Sequence, residues 1–114
     1  MILSAVTCHD VSQAKERRVH HVVLVWIGEE DNEKLTRIMT ESLKLAEIPQ
    51  VDSLHIGRSI ESSRAIVDDS FDLGLHFTFA SPEEMEAYLN HPAHLEFLET
   101  QIKNQVKKIV VYDF

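Results

Sequence analysis

The chain has 114 residues, of which 44% are apolar and 26% are charged, a length and composition typical of one globular domain. Its 19 acidic and 11 basic side chains give a charge of −8, which argues against nucleic acid and anionic membrane surfaces as partners. The longest apolar run, residues 22–27, is far too short to span a bilayer.

Residues 1–18 predict an N-terminal extension that is flexible or helical, because residues 10–18 are largely polar. The apolar start lacks the basic region and the length of a signal peptide. The single cysteine, Cys8, allows no intramolecular disulfide, which fits a reducing compartment. We therefore expect a cytoplasmic protein, and an exported form with a trimmed signal is the alternative.

The first predicted strand, residues 19–27, is rich in β-branched residues and apolar on both faces, so we expect it at the centre of a covered sheet. The acidic residues 28–34 then favour a helix start. The apolar residues of this helix recur at helical spacing: Leu35, Ile38, Met39, Leu43 and Ala46. Pro49 ends it.

A second strand is predicted at residues 51–58, followed by the polar residues 59–70, a long connection of the kind that is functional or mobile. The third strand, residues 71–80, alternates apolar with small or polar residues. Ser81 and Pro82 are typical of the cap and first position of a helix.

Pro92 interrupts this last helix because it disfavours the helical conformation of His91, and it also suits the first position of a new helix. The new helix is predicted to carry Leu95, Leu98, Ile102 and Val106. Residues 108–114, KIVVYDF, predict the fourth strand.

The order β-α-β-β-α-β, with its second helix split, predicts an α+β, ferredoxin-like fold in residues 19–114. In this fold the helices cover one face of a four-stranded antiparallel sheet. The other face would stay open although the first strand is apolar on both sides. Because large exposed apolar patches are rare on soluble monomers, we predict a homodimer packed sheet to sheet.

Three stretches carry a family resemblance: HHVVLVW, SFDLGLHFTFASPEEMEAYLNHPAHLEF and KIVVYDF. Together they resemble the stress-responsive A/B barrel (Dabb) domain family over residues 19–114, and the segment AYLNHPAH is the most specific part. The resemblance implies a dimeric α+β barrel with a stress-related role. The loop RAIVDDS is similar to bacterial members, most of which have no assigned reaction.

A plant member of this family, olivetolic acid cyclase, closes a ring by aldol condensation with a histidine and a tyrosine. The resemblance places these two catalytic residues on His94 and Tyr88. It places a strand-one histidine on His21 and a strand-four aspartate on Asp113. The chain departs from the family at residues 26–28, where a lysine is common, so the resemblance does not transfer a substrate.

Each of these residues also has a structural interpretation. His94 would be a hydrogen-bonded histidine at a helix start, and Tyr88 would be a core aromatic residue. His21 is expected to be buried and paired with Asp113, because strands one and four are neighbours. Orienting His94 is the alternative role for His21. His91 is expected to face solvent or cap its helix, and it is also a candidate, with His21 and Asp113, for lining the pocket or supporting it.

The sequence predicts neither a metal nor a cofactor. His91 and His94 are three residues apart but lack a third ligand, and Pro92 disturbs the geometry between them. With only three glycines, the chain has no phosphate-binding loop.

Three functions remain open: a binding protein for a small apolar or aromatic ligand, a polyketide-cyclase-like or lyase-like enzyme, and a dimeric module without catalytic activity. In the first two, the ligand occupies a pocket lined by Tyr88, His94 and His21. In the enzyme, His94 is the base and Tyr88 the electrophilic partner.

Overall fold

The computed structural model describes residues 18–114, and its elements follow the predicted order. The strands are β1 (Val19–Trp26), β2 (Ser53–Arg58), β3 (Leu73–Phe79) and β4 (Lys108–Asp113). The helices are α1 (Asn32–Leu43), α2 (Pro82–Leu89) and α3 (Pro92–Phe97), with a 3-10 turn at Lys44–Glu47 and a π turn at Leu98–Ile102. Cys8 and nearly all of the predicted N-terminal extension lie outside the described residues.

The four strands form one antiparallel sheet in the order β2-β3-β1-β4. The predicted ferredoxin-like fold is confirmed, and β1 lies inside the sheet as its apolar pattern requires. The core forms between the helices and one face of the sheet; its most deeply buried members include Val25, Ile38, Leu73, Phe77, Phe79 and Tyr88. Within residues 18–114, no helix combines the length and apolarity needed to cross a membrane.

Helix α1 begins at Asp31, whose carboxylate accepts a hydrogen bond from the Lys34 amide at 2.9 Å. The apolar residues at helical spacing are not all buried: Leu43 is 59% exposed, and Ala46, in the 3-10 turn, is exposed. Ser42 and Leu45 are buried instead. Both lie three or four residues from another buried position, so burial follows the helical repeat more closely than hydrophobicity does.

The break between α2 and α3 has the predicted structure. His91 is extended, as a residue before proline should be, and its Nδ1 accepts a hydrogen bond from the Ala93 amide at 3.1 Å. The prediction that the last helix reaches Val106 was wrong. Asn104 has a φ of +62°, the left-handed conformation that ends helices, so Val106 lies in the connection to β4.

The face of the sheet opposite the helices is called the open face here. The strand register places these residues on it: His20, Val22, Leu24, Trp26, Ser53, His55, Gly57, Gly74, His76, Thr78, Lys108, Val110 and Tyr112. The face is largely apolar in its centre, and none of the described helices packs on it. This is the uncovered apolar surface that the sequence predicted.

Candidate functional site

A cavity of about 220 Å³ lies between the inner face of the sheet and the helices. Most of its wall is apolar, with contributions from Val23, Val25, Leu75, Phe77, Ile109 and Val111. Four polar side chains interrupt this wall: His21, Ser42, Tyr88 and His94. An apolar cavity of about 150 Å³ is enough to hold benzene, so this cavity has room for a ring with a small substituent.

The helix break brings Tyr88 and His94 together. Tyr88 lies in the last turn of α2 and His94 in the first turn of α3. Their ring centroids are 4.6 Å apart, and they are only 1% and 8% exposed. In one continuous helix, residues six apart would point about 120° away from each other. The bend at Pro92 therefore allows both rings to face one cavity.

The hydrogen bond of His94 fixes the tautomer of its neutral ring. Its Nδ1 lies 2.9 Å from the carbonyl oxygen of Leu89, which can only accept, so Nδ1 carries the hydrogen and Nε2 carries a lone pair. Burial lowers the pKa of His94; the bond to Leu89 opposes this effect, and nearby His21 adds to it. Near neutral pH, Nε2 of His94 can therefore accept a proton.

Tyr88 stands among aromatic rings, with centroid distances of 5.1 Å to both Phe77 and Phe79. Burial raises the pKa of the Tyr88 phenol, so its hydroxyl stays protonated at physiological pH. No other group in residues 18–114 forms a hydrogen bond with this hydroxyl. A protonated phenol in the cavity wall can donate a hydrogen bond to an oxygen of a bound molecule.

His21 and Asp113 form a pair across the sheet. The two residues are register partners on β1 and β4, and Nδ1 of His21 lies 2.5 Å from Oδ1 of Asp113. The buried ring of His21 lies edge-on to Tyr88, with centroids 6.3 Å apart. Asp113 thus holds the orientation of one imidazole in the cavity wall while itself lying outside that wall.

Two further residues bear on the site, one a predicted candidate and one not. His91 caps α3 and does not line the cavity. Ser42 lines the cavity but was not predicted. Its hydroxyl donates to the carbonyl of Ile38 at 2.6 Å, which satisfies a fully buried polar group within the helix. Ser42 could have been predicted from its position, because it lies four residues after Ile38 and seven after Leu35, on the same face of the helix.

Among the described residues, no group of three or more histidine, cysteine, aspartate or glutamate side chains is placed to hold a metal ion. The cavity wall combines a neutral imidazole, a protonated phenol and an Asp-bound imidazole around an apolar space.

Several solved structures share this fold. The protein At3g17210 from Arabidopsis thaliana is 26% identical, with 84% of this chain and 92% of that chain covered and a TM-score of 0.72. A hydroxynitrile lyase from Passiflora edulis is 21% identical, with 86% and 92% covered and a TM-score of 0.74. A dimeric ferredoxin-like protein of unknown function from Thermobifida fusca is 20% identical, with 85% and 89% covered and a TM-score of 0.69.

No curated protein matches the sequence. The model of one protein family, described as the stress responsive A/B barrel domain, matches residues 19–114. The match begins at the first residue of β1 and includes every helix and strand described above. The chain belongs to the stress-responsive A/B barrel (Dabb) domain family.

Proposed function

We propose that this chain is a homodimeric protein that binds a small apolar or aromatic ligand in the cavity between its sheet and helices. One observation carries the proposal: His94 and Tyr88 line the same apolar cavity, and Nδ1 of His94 is already bonded to the Leu89 carbonyl. Apolar walls favour burial of a ring, and a few polar groups select its substituent. A ring that bears one oxygen fits both the volume and the chemistry.

Native mass spectrometry of the freshly purified protein, followed by titration with phenol and toluene, tests ligand binding. We expect phenol to bind more tightly than toluene, because its oxygen can pair with Tyr88 or His94. Tyr88→Phe should weaken phenol binding about fivefold and leave toluene unchanged.

Tyr112→Phe is the matched control, because Tyr112 lies on the open face, away from the cavity, and should have no effect on phenol binding. If neither compound binds, the dimeric module without a ligand becomes the better hypothesis. If phenol and toluene bind equally, the two polar groups do not select the ligand.

The homodimer is supported by the open face, whose apolar residues Val22, Leu24 and Val110 have no covering helix. The similar protein from Thermobifida fusca is described as dimeric. Light scattering at micromolar concentration should give twice the chain mass of 13.1 kDa. A mass of one chain at that concentration would contradict this part of the proposal.

Proton-transfer catalysis of the cyclase or lyase kind is the second candidate. It is favoured by a neutral imidazole that adjoins a protonated phenol. His94 would remove a proton from a hydroxyl or an activated carbon, and Tyr88 would donate a hydrogen bond to the developing oxyanion. Because a similar structure is a hydroxynitrile lyase, cleavage of an aromatic cyanohydrin is the first reaction to assay.

His94→Ala should lower such a turnover by about a hundredfold or more and leave the dimer intact. His55→Ala is the matched control, because His55 does not line the cavity; since it lies on the open face, both variants are compared at a concentration at which scattering shows a dimer. If turnover persists in His94→Ala, His94 is not the catalytic base. Wild-type protein that binds phenol but turns over no cyanohydrin leaves binding as the function.

We also propose the cytoplasm as the compartment, because a single cysteine suits a reducing environment. Fractionation of the source cells tests this: recovery from the exported fraction would contradict it.

A further inference from the structure

Residues 59–70, which connect β2 to β3, form an arm that is shaped by its own hydrogen bonds. The Asp69 carboxylate accepts a bond from the Ser62 amide at 2.8 Å, and the Asp68 carboxylate accepts one from the Ser70 amide at 3.0 Å. The polar side chains of the arm thus satisfy its backbone, as in other compact surface loops.

The two isoleucines of the arm are exposed. Ile60 is 83% exposed and Ile66 is 86% exposed, the highest values among the large apolar side chains of the described residues. Isoleucine is one of the residues most often buried in proteins. Two almost fully exposed isoleucines in one loop are typical of an element that is covered by something else.

The arm is continuous with the open face of the sheet. At its end, the Ser70 hydroxyl accepts a hydrogen bond from the indole nitrogen of Trp26 at 3.1 Å. The next residue, Phe71, packs edge-on against the same indole, with centroids 6.3 Å apart. Trp26 belongs to the open face, so the arm is anchored at that face where it joins β3.

The open face also contains a depression. Gly57 and Gly74 are register partners on β2 and β3, and the lack of two side chains leaves a space of about 210 Å³ bordered by Val22, Phe71 and His76. A two-fold interface pairs one surface with itself, so a projection and a depression on the same surface can each meet their counterpart.

We propose that the arm reaches across the dimer and buries Ile60 and Ile66 against the open face of a second copy of this chain. The inference rests on the homodimer proposed above and adds the segment that holds it together. An anionic lipid surface is a poorer occupant, because the chain carries a charge of −8.

The test is a dilution series of the full chain by sedimentation velocity, comparing wild type with Ile60→Ser, Ile66→Ser and the double variant. Each isoleucine occurs twice in a dimer, so we expect the double variant to raise the dissociation constant at least about a hundredfold. Leu43→Ser is the matched control: Leu43 is also exposed, but it lies on α1, away from the open face, and should leave the constant unchanged.

Hydrogen exchange of residues 59–70 provides a second measurement that needs no variant. The arm amides should exchange more slowly in the concentrated dimer than in the diluted monomer. Equal exchange in both states would overturn the proposal.

The other outcomes separate the arm from the dimer. A wild-type dimer that the double variant leaves equally tight would overturn the arm and leave the homodimer standing. Equal weakening by Leu43→Ser would also overturn it, because the effect would not be specific to the arm. A wild-type chain that stays monomeric would contradict the homodimer and the arm together.

Discussion

At the scale of single residues, the cavity depends on two aromatic rings with opposite hydrogen-bonding roles. His94 is held as an acceptor at Nε2, because its Nδ1–H is occupied by the Leu89 carbonyl. Tyr88 is held as a donor, because burial raises the pKa of its hydroxyl. Neither role needs a charged group, which is consistent with an apolar wall around both.

The lowered pKa of His94 predicts a specific dependence of stability on pH. Above its ordinary value of 6.5, both the folded and the unfolded chain carry a neutral imidazole, and His94 has no effect. As the pH falls below 6.5, the unfolded chain takes up this proton first, so the free energy of unfolding decreases. The decrease stops once the pH is below the pKa of His94 in the folded state.

Urea unfolding of wild type and His94→Gln between pH 8 and pH 5 checks this prediction. The stability difference between the two proteins should be constant above about pH 7 and should shift in favour of the variant at lower pH. A difference that stays constant over the whole range would show that burial does not disfavour the charged form of His94.

At the scale of elements, the break at Pro92 sets the geometry of the site. Pro82 and Pro92 both occupy the first position of a helix, where proline is well accommodated. Only Pro92 separates two helices whose side chains must converge. Both prolines thus start a helix, but only Pro92 also brings Tyr88 and His94 together.

We therefore expect Pro82→Ala and Pro92→Ala to lower stability by a similar amount, about 0.4–1 kcal/mol, through the greater freedom of the unfolded chain. Only Pro92→Ala should also weaken phenol binding, because the pair of Tyr88 and His94 loses its fixed bend. Calorimetric unfolding and phenol titration of the two variants make the comparison. Equal phenol affinity in the two variants would show that phenol binding does not depend on the bend at Pro92.

At the scale of the whole molecule, the open face and the arm predict that folding is linked to association. If the folded state is a dimer, mass action stabilises it at higher protein concentration. The Tm should therefore rise when the concentration is increased from about 1 to 100 μM, and the double variant Ile60→Ser/Ile66→Ser should reduce this rise. Calorimetry or circular dichroism at several concentrations measures both; a Tm independent of concentration would contradict the linkage.

The order of the elements, the antiparallel sheet and the helix break followed from the sequence alone. These features depend on local rules: alternation in β3, the acids before α1, and the conformation that Pro92 imposes on His91. The register pair of His21 and Asp113 was also predictable, because the topology makes β1 and β4 neighbours. These features were predictable because they depend on residues that are close together in the sequence or on the topology, and not on contacts between distant side chains.

Which side chains enclose the cavity depends on packing between elements that are distant in the sequence. Ser42 lines it and Leu43 does not, because the rotation of α1 on the sheet depends on packing with strands far away in the sequence. The end of the last helix depended on one left-handed residue, Asn104, which no periodicity predicts. The exposure of Ile60 and Ile66 likewise depends on the tertiary structure, because isoleucine in a sequence is more often a sign of a buried position.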